Sequence, residues 1–437
     1  MRILPLSMEG FMTPELLKRI IADQQQMGLP SPYYHRIAEK KLTVLSQNKE
    51  IIILKGIRRA GKSVLLQQIR QQNREAAYYF NFEDERLITF NVNDFQLLQE
   101  IFIELYGIQK TYYFDEIQNI PNWERFIRRL YNDNNKVYIT GSNASLFSKE
   151  LGTRLTGRYI SIDIYPLSYH EFMLEQAPSF DTKKIVSTSH VGQIKKLFNQ
   201  YCDTGGFPEY IKYQNNDYLD SLYNSIIYRD IISRYKISNP KPIRELVFYL
   251  ASNCSKEITY NALRKLLQLG SATTVSDYCS YLEDSYLCFF ISRYDESVRI
   301  QMQSPKKIYF VDHVLAKIIG FHFSEDQGRV LENIVFIELK RRAFEIYYHR
   351  NRKECDFIIR NNNQIVNAIQ VCQQFTNEKV KQREQDGLLE ALERYSLSSG
   401  YILTDREEET MTVLYNHTRY KIIVMPIWKW LLESISI

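Results

Sequence analysis

Residues Gly56-Ile57-Arg58-Arg59-Ala60-Gly61-Lys62-Ser63 restrict the fold of this chain more than any other stretch. They fit the spacing G-x-x-x-x-G-K-[ST]. The run Ile51-Ile52-Ile53-Leu54 before them reads as a buried strand, and Val64, Leu65, Leu66 and Ile69 after them have helical spacing. In a strand–loop–helix unit of this kind, glycines let successive backbone N–H groups turn inward around an anion. The helix N-terminus adds its partial positive charge. Gly56, Ile57, Arg58, Arg59, Ala60, Gly61, Lys62, Ser63 and Val64 are therefore expected to line the phosphates of a nucleotide. Lys62 would reach the β- and γ-phosphates, and the Ser63 hydroxyl would sit on Mg²⁺.

Four more strand-type runs follow, at Ala76–Phe82, Thr111–Phe114, Lys136–Thr140 and Tyr159–Tyr165, with helical stretches between them. Apolar strands alternating with helices predict a parallel sheet covered on both faces. After Pro166 the alternation stops. Residues 168–240 read as mainly helical around a Gly205-Gly206-Phe207-Pro208 turn. Residues 241–300 read as three helices and a strand, the order of a winged helix. Residues 318–437 return to α/β.

Three further groups carry chemistry. Asp115 and Glu116 end an apolar strand at the edge where parallel sheets bind ligands. Asp115 is expected to hold Mg²⁺, and Glu116 to orient and deprotonate an attacking water. Ser142 and Asn143, just past the Lys136–Thr140 strand, are expected to meet the γ-phosphate or the lytic water. Arg154 and Arg158 are candidates for stabilising a transferring phosphoryl group, within the chain or toward a neighbouring subunit.

Composition bounds the rest. The chain has 437 residues, 44% hydrophobic and 24% charged, with a net charge of only +5. That profile predicts several globular domains and gives no general demand for nucleic acid. No apolar run approaches the ~20 residues a membrane-spanning helix needs. The N-terminus shows no secretory signal, and the six cysteines form no C-x-x-C pair. A cytoplasmic protein with reduced thiols is expected.

The stretches GIRRAGKS, YYFDEIQN, ITGSNASL and RLTGRYISIDIYPLSYHEF resemble the AAA-type P-loop ATPases described only as ATP-binding proteins, which are related to the archaeal and signal-transduction NTPases. GGFPEY, YRDIISRY, GRVLENIVFIELKRR, ECDFII, AIQVC and MPIWKWLL extend the resemblance to nearly the whole chain from about residue 33. It implies an α/β chain in four parts. A P-loop ATPase domain with a parallel sheet would span 1–172, a helical linker or lid 173–240, a winged-helix-like domain 241–317, and a restriction-endonuclease-like domain 318–437. It also implies ATP rather than GTP as the nucleotide, with Mg²⁺. The partner classes left open are DNA, a protein and a second copy of the chain.

In that C-terminal fold, active members place an acid at one strand end and Glu-x-Lys on the next strand, where they hold a metal and polarise water. Here Asp356 matches the first acid, but Gln370 and Cys372 stand at the Glu and Lys positions. A cleavage-inactive domain is expected, with Glu332 and Glu354 as partial substitutes. Lys340, Arg341, Arg342, Arg350, Arg352 and Lys353 form a candidate phosphate-facing patch. Ser271, Thr273, Thr274, Ser276 and Asp277 at the third helix of the winged-helix segment lack the usual base-reading side chains. The leading expectation is an Mg²⁺-dependent ATPase whose nucleotide state moves the later domains. The alternatives are a nucleotide-gated scaffold with little turnover and an ATP-regulated nuclease.

Overall fold

The computed structural model describes residues 12–26, 28–29, 33–142, 155, 157–177, 187–321 and 327–433. It forms two compact units, residues 1–164 and 165–437. Overall the chain is α/β. Among the described residues, no helix is long and apolar enough to cross a membrane. The six cysteines are free thiols.

The first unit is built on five parallel strands: β1 (Ile51–Lys55), β2 (Tyr79–Asn81), β3 (Thr111–Asp115), β4 (Lys136–Gly141) and β5 (Tyr159–Asp163). Their order in the sheet is β2-β3-β4-β1-β5. Among the described residues, the helices are α1 (Pro14–Gln26), α2 (Ala38–Leu45), α3 (Lys62–Gln72), α4 (Asp94–Tyr106) and α5 (Trp123–Asn132). β1 and β3 are buried along nearly their whole length, as strands covered on both faces must be. Phe82, Phe90, Phe95, Phe114 and Phe126 join one core cluster, with Phe95 and Phe126 stacked at 4.5 Å between centroids. Such offset stacking adds to the gain from burying the rings. Because β1 lies between β4 and β5, the C-terminal ends of β1, β3 and β4 meet along one edge, where the order switches direction.

The second strand is shorter than its sequence suggests. Only Tyr79–Asn81 pairs with β3, at the edge of the sheet. Upstream, the carbonyls of Ala76 and Ala77 accept from the Arg70 and Gln25 side chains instead of from a neighbouring strand.

The second unit begins with helices Tyr169–Gln176, Thr188–Thr204, Pro208–Tyr213 and Asn216–Ser225, the last running into a π-helix at Ile226–Ser233. The glycine turn between them has a packing cause. A Cβ on Gly206 would lie 2.3 Å from the Leu167 carbonyl, and one on Gly205 2.6 Å from the Asp312 carboxylate. The Gly206 N–H donates to Asp312 Oδ2 at 2.8 Å, and Asp312 Oδ1 caps the helix His313–Ile319. GGFPEY is thus a close-approach turn of the scaffold.

Helix Lys241–Ser252, β6 (Glu257–Ile258), helices Tyr260–Leu266 and Ala272–Asp284, β7 (Cys288–Ser292), helix Val298–Gln303 and β8 (Lys306–Phe310) follow. The three strands form an antiparallel sheet in the order β6-β8-β7. The last part is a six-stranded mixed sheet: β9 (Glu345–Arg350), β10 (Glu354–Asn361), β11 (Gln364–Val371), β12 (Ser399–Thr404), β13 (Glu409–Tyr415) and β14 (Thr418–Pro426). Their order is β13-β14-β12-β11-β10-β9. β6, β8 and β13 are strands beyond those expected from the sequence.

Candidate functional site

The phosphate loop leaves β1 at the converging edge. At Gly56, a Cβ would lie 2.0 Å from the Ile164 carbonyl, so the chain can turn into the loop here only with glycine. Arg59 and Gly61 both have positive φ, +64° and +92°. Alternating backbone hand of this kind builds an anion-holding concavity. Lys62 is only 4% exposed. Its Nζ donates to the carbonyls of Gly56 (3.1 Å) and Ile57 (3.0 Å), and Glu116 Oε1 lies 3.9 Å away. Arg58 pairs with Glu83 at the end of β2 at 2.9 Å.

Ser63 and Asp115 meet directly: the serine hydroxyl donates to Asp115 Oδ1 at 3.0 Å. Thr140, at the end of β4, also donates to Asp115 Oδ1 and accepts the Glu116 N–H at 2.9 Å. Tyr79 donates to Asp115 Oδ2 at 3.4 Å. Asp115 is 2% exposed. Burial first, and then the neighbouring Glu116 carboxylate, push its pKa up to about 6, against the pull of the Thr140 and Ser63 hydrogen bonds and of Lys62. Glu116 adopts a left-handed backbone (φ +50°), which is uncommon outside glycine, and Gln118 donates to its Oε2.

Ser142 lies just beyond the end of β4, 2% exposed, and its hydroxyl has no hydrogen-bond partner among the described residues. A buried hydroxyl without a partner is disfavoured and commonly marks the place of a ligand or water. Asn143 and Arg154 lie outside the described residues. Arg158 is not brought to this edge. Its carbonyl accepts from Ile51, the first residue of β1, so it sits at the opposite end of the strand from the loop. Five residues of strand place it roughly 16 Å away, and its guanidinium lies 6.0 Å from the Tyr131 ring centroid.

The residues brought together are therefore the loop 56–63, Asp115, Glu116 and Ser142. Thr140, which ties both acids to β4, was legible only as part of a strand end. Arg36, whose Nη1 donates to the Ala60 carbonyl at 2.7 Å, carries no motif signal. The donor set suits a magnesium–nucleotide complex, with a buried carboxylate and a hydroxyl 3.0 Å apart beside a buried lysine at a helix N-terminus.

In the second unit, Asp356 has been met by a lysine from outside its own sheet. Lys307 of β8 is 2% exposed, and its Nζ lies 2.9 Å from Asp356, 3.2 Å from Glu332 and 2.7 Å from Glu354. Burial acts to lower its pKa, but the attraction of Asp356, Glu332, Tyr309 and Glu354 outweighs burial and holds the pKa well above the usual lysine range. Asp356 Oδ2 also accepts from the Val371 N–H, and Gln370 bridges the Asp356 N–H to Glu384. Among the described residues, no group of three or more His, Cys, Asp or Glu fits a metal ion. The acids serve an internal ammonium.

Most of the basic side chains read from the sequence as a patch have partners within the protein. Arg341 and Arg342 pair with Glu338, and Arg342 also stacks 4.3 Å from Trp430. Lys340 lies over the Phe289 ring, Arg350 pairs with Glu257 and Glu354, and Lys353 pairs with Asp386. These side chains are largely spent on the protein itself. In the helix Ala272–Asp284, Ser271 caps the N-terminus through the Thr274 N–H, and Asp284 accepts from Tyr235.

The glycine loop, the parallel strand order and the acids at the shared edge together define a P-loop ATPase fold of the AAA type. The chain belongs to the AAA-type P-loop ATPase family. An AAA domain model matches residues 48–173, and domains of unknown function match residues 195–322 (DUF8612) and 327–430 (DUF4143). The chain is similar to the uncharacterized protein MJ1544 of Methanocaldococcus jannaschii, with 32% identity over 431 residues and 95% of each chain covered. An uncharacterized protein of Haemophilus influenzae is 32% identical over 401 residues, covering 86% of this chain and 96% of that one. Among solved structures, a Signal Transduction ATPase with Numerous Domains (STAND) protein with a tetratricopeptide repeat sensor, from Pyrococcus horikoshii, is 16% identical. It covers 71% of this chain but 46% of that protein's length, at a TM-score of 0.27.

Proposed function

We propose that the chain is a magnesium-dependent ATPase whose nucleotide state is passed from the first unit to the second. The observation that carries this reading is the Ser63–Asp115 hydrogen bond at 3.0 Å, beside Lys62 and Glu116. When bound, Mg²⁺ would supply charge neutralisation of the phosphate oxygens. Ser63 and Asp115 are the residues that would hold it. Lys62 now rests on the Gly56 and Ile57 carbonyls and would exchange them for phosphate oxygens. Glu116 accepts the proton of the attacking water, its backbone fixed by Thr140. Ser142 offers its buried hydroxyl to the γ-phosphate. Arg158 is left for a neighbouring copy of the chain, since its own site lies at the far edge.

In this reading, the winged-helix-like segment and the nuclease-like sheet are the parts that respond, and the sheet is cleavage-inactive because Gln370 and Cys372 stand where active members have Glu and Lys. The paired state of the basic patch favours a protein over DNA as the partner. The test is steady-state ATP hydrolysis with and without duplex DNA, for wild type and Glu116→Gln. Mg²⁺-dependent turnover that falls at least 100-fold in the variant, with ATP binding retained, supports the ATPase. Stimulation by DNA would return the nucleic-acid partner to first place. ATP bound without turnover in the wild type would make the chain a nucleotide-gated scaffold.

A further inference from the structure

We infer that Arg36 is a positioning residue of the phosphate loop, a role that rests on the nucleotide-binding reading above. Arg36 stands 20 positions before the loop in sequence, in the segment that leads into α2, and is 8% exposed. Its guanidinium Nη1 donates to the Ala60 carbonyl at 2.7 Å. Ala60 is fully buried, so its carbonyl requires a partner inside the protein.

That bond sets the direction of a whole peptide. The Ala60 carbonyl and the Gly61 N–H belong to one planar trans unit, in which the two groups point to opposite sides. With the carbonyl held by Arg36, the Gly61 N–H is aimed away from Arg36, as the loop requires for its N–H groups to converge on phosphate. Gly61 (φ +92°) and Arg59 (φ +64°) flank this segment. Glycine imposes little resistance to a peptide flip, so the orientation must come from an outside contact. Arg36 Nη1 also lies 3.4 Å from where a Cβ on Gly61 would be.

The arm that carries Arg36 is itself fastened. The Arg36 N–H donates to Glu39 Oε1 at 2.8 Å, and Gln68 of α3 donates to the Tyr34 carbonyl at 3.2 Å. The arginine is thus tied to the same helix that the loop opens. A lysine at this position would keep one donor and the charge but lose the planar fork.

The experiment measures ATP and ADP binding to the full chain by calorimetry in Mg²⁺, for wild type, Arg36→Ala and Arg36→Lys. Thermal melting of each ligand-free protein runs alongside. The role predicts that Arg36→Ala weakens ATP and ADP by the same factor, at least 10-fold, because the loop holds phosphates common to both. Arg36→Lys recovers part of the loss, and ethylguanidinium added to Arg36→Ala restores binding in part. Unchanged affinity in Arg36→Ala overturns the role. So does a loss matched equally by Arg36→Lys with no rescue by ethylguanidinium. Should Arg36→Ala not fold, Arg36→Lys with wild-type affinity and a lowered melting temperature shows a merely structural arginine and also overturns it. A wild type that binds neither nucleotide removes the nucleotide reading and this role together, an outcome separate from the other three.

Discussion

Ser63 and Asp115 stand 52 residues apart in sequence and 3.0 Å apart through one hydrogen bond, the serine donating. The pair links the first turn of α3 to the end of β3 across β4 and β1. It stands on a third residue, Thr140, which spends its hydroxyl twice: as donor to Asp115 and as acceptor from the Glu116 N–H.

Thr140→Val keeps the shape and deletes both bonds. The Glu116 N–H then lacks its partner in a buried setting, a cost of about 1–3 kcal/mol. Melting should fall, and ATP turnover should fall further than ATP affinity, because Glu116 loses its fixed backbone. Calorimetric melting and a KM-against-kcat comparison check both.

Ser142→Ala should behave in the opposite way. Its hydroxyl is buried without a partner among the described residues, so the ligand-free protein should melt at the same temperature or slightly higher. Turnover should fall on the order of 10-fold, the cost of one transition-state hydrogen bond of about 1.4 kcal/mol. A lowered melting temperature with unchanged turnover would show that the hydroxyl serves the fold.

Asp84 sets an acid limit for the first unit. Hydrogen bonds from Arg86, followed by those from the backbone and Gln24, hold its pKa down to about 2 from 3.8, with burial opposing. The folded state therefore favours the carboxylate. This stabilisation is complete above pH 3.8 and is lost as pH falls through about 2, and it amounts to on the order of 1–2 kcal/mol after allowance for solvent screening. Urea unfolding at pH 5 and pH 2.5 should show a steeper loss in wild type than in Asp84→Asn.

Lys307→Met removes the ammonium from Glu332, Glu354 and Asp356. Leaving buried acids without their cation costs about 3–5 kcal/mol. Burial, and then Asp356, already raise the Glu332 pKa to about 7 from 4.5, so the folded state favours its neutral form. Its ionisation weakens the fold as pH rises from 4.5 to 7. The variant's deficit against wild type should thus be large at pH 8 and smaller at pH 5, read by unfolding at each pH.

Sequence reading reached the loop 56–63, Asp115 and Glu116 because local spacing alone identifies them. Thr140's double bond, Arg36's hold on Ala60 and Lys307's triple pairing were hidden, since each joins residues brought together only by the fold. β8 escaped because Lys306 and Lys307 open it, and charged residues depress strand propensity. Yet Lys307 is buried there by its acids. β13 escaped because it is an edge strand with polar residues alternating outward. For Arg158 the sequence leaves two places open, the chain's own site or a neighbouring subunit's; a strand has two ends, and the hydrogen bond from the Ile51 N–H to the Arg158 carbonyl puts it at the end opposite the loop, away from the chain's own site.

The lysine from β8 also bears on how this chain can be divided. The matched domains of unknown function end at residue 322 and resume at residue 327, so the cation falls in one and its three acids in the other. A fragment begun at residue 318 would carry the six-stranded sheet intact in sequence and yet lack its own neutralising charge. The two segments therefore share one charge balance: a replacement for either one would have to bring an equivalent cation or equivalent acids to leave the sheet neutralised.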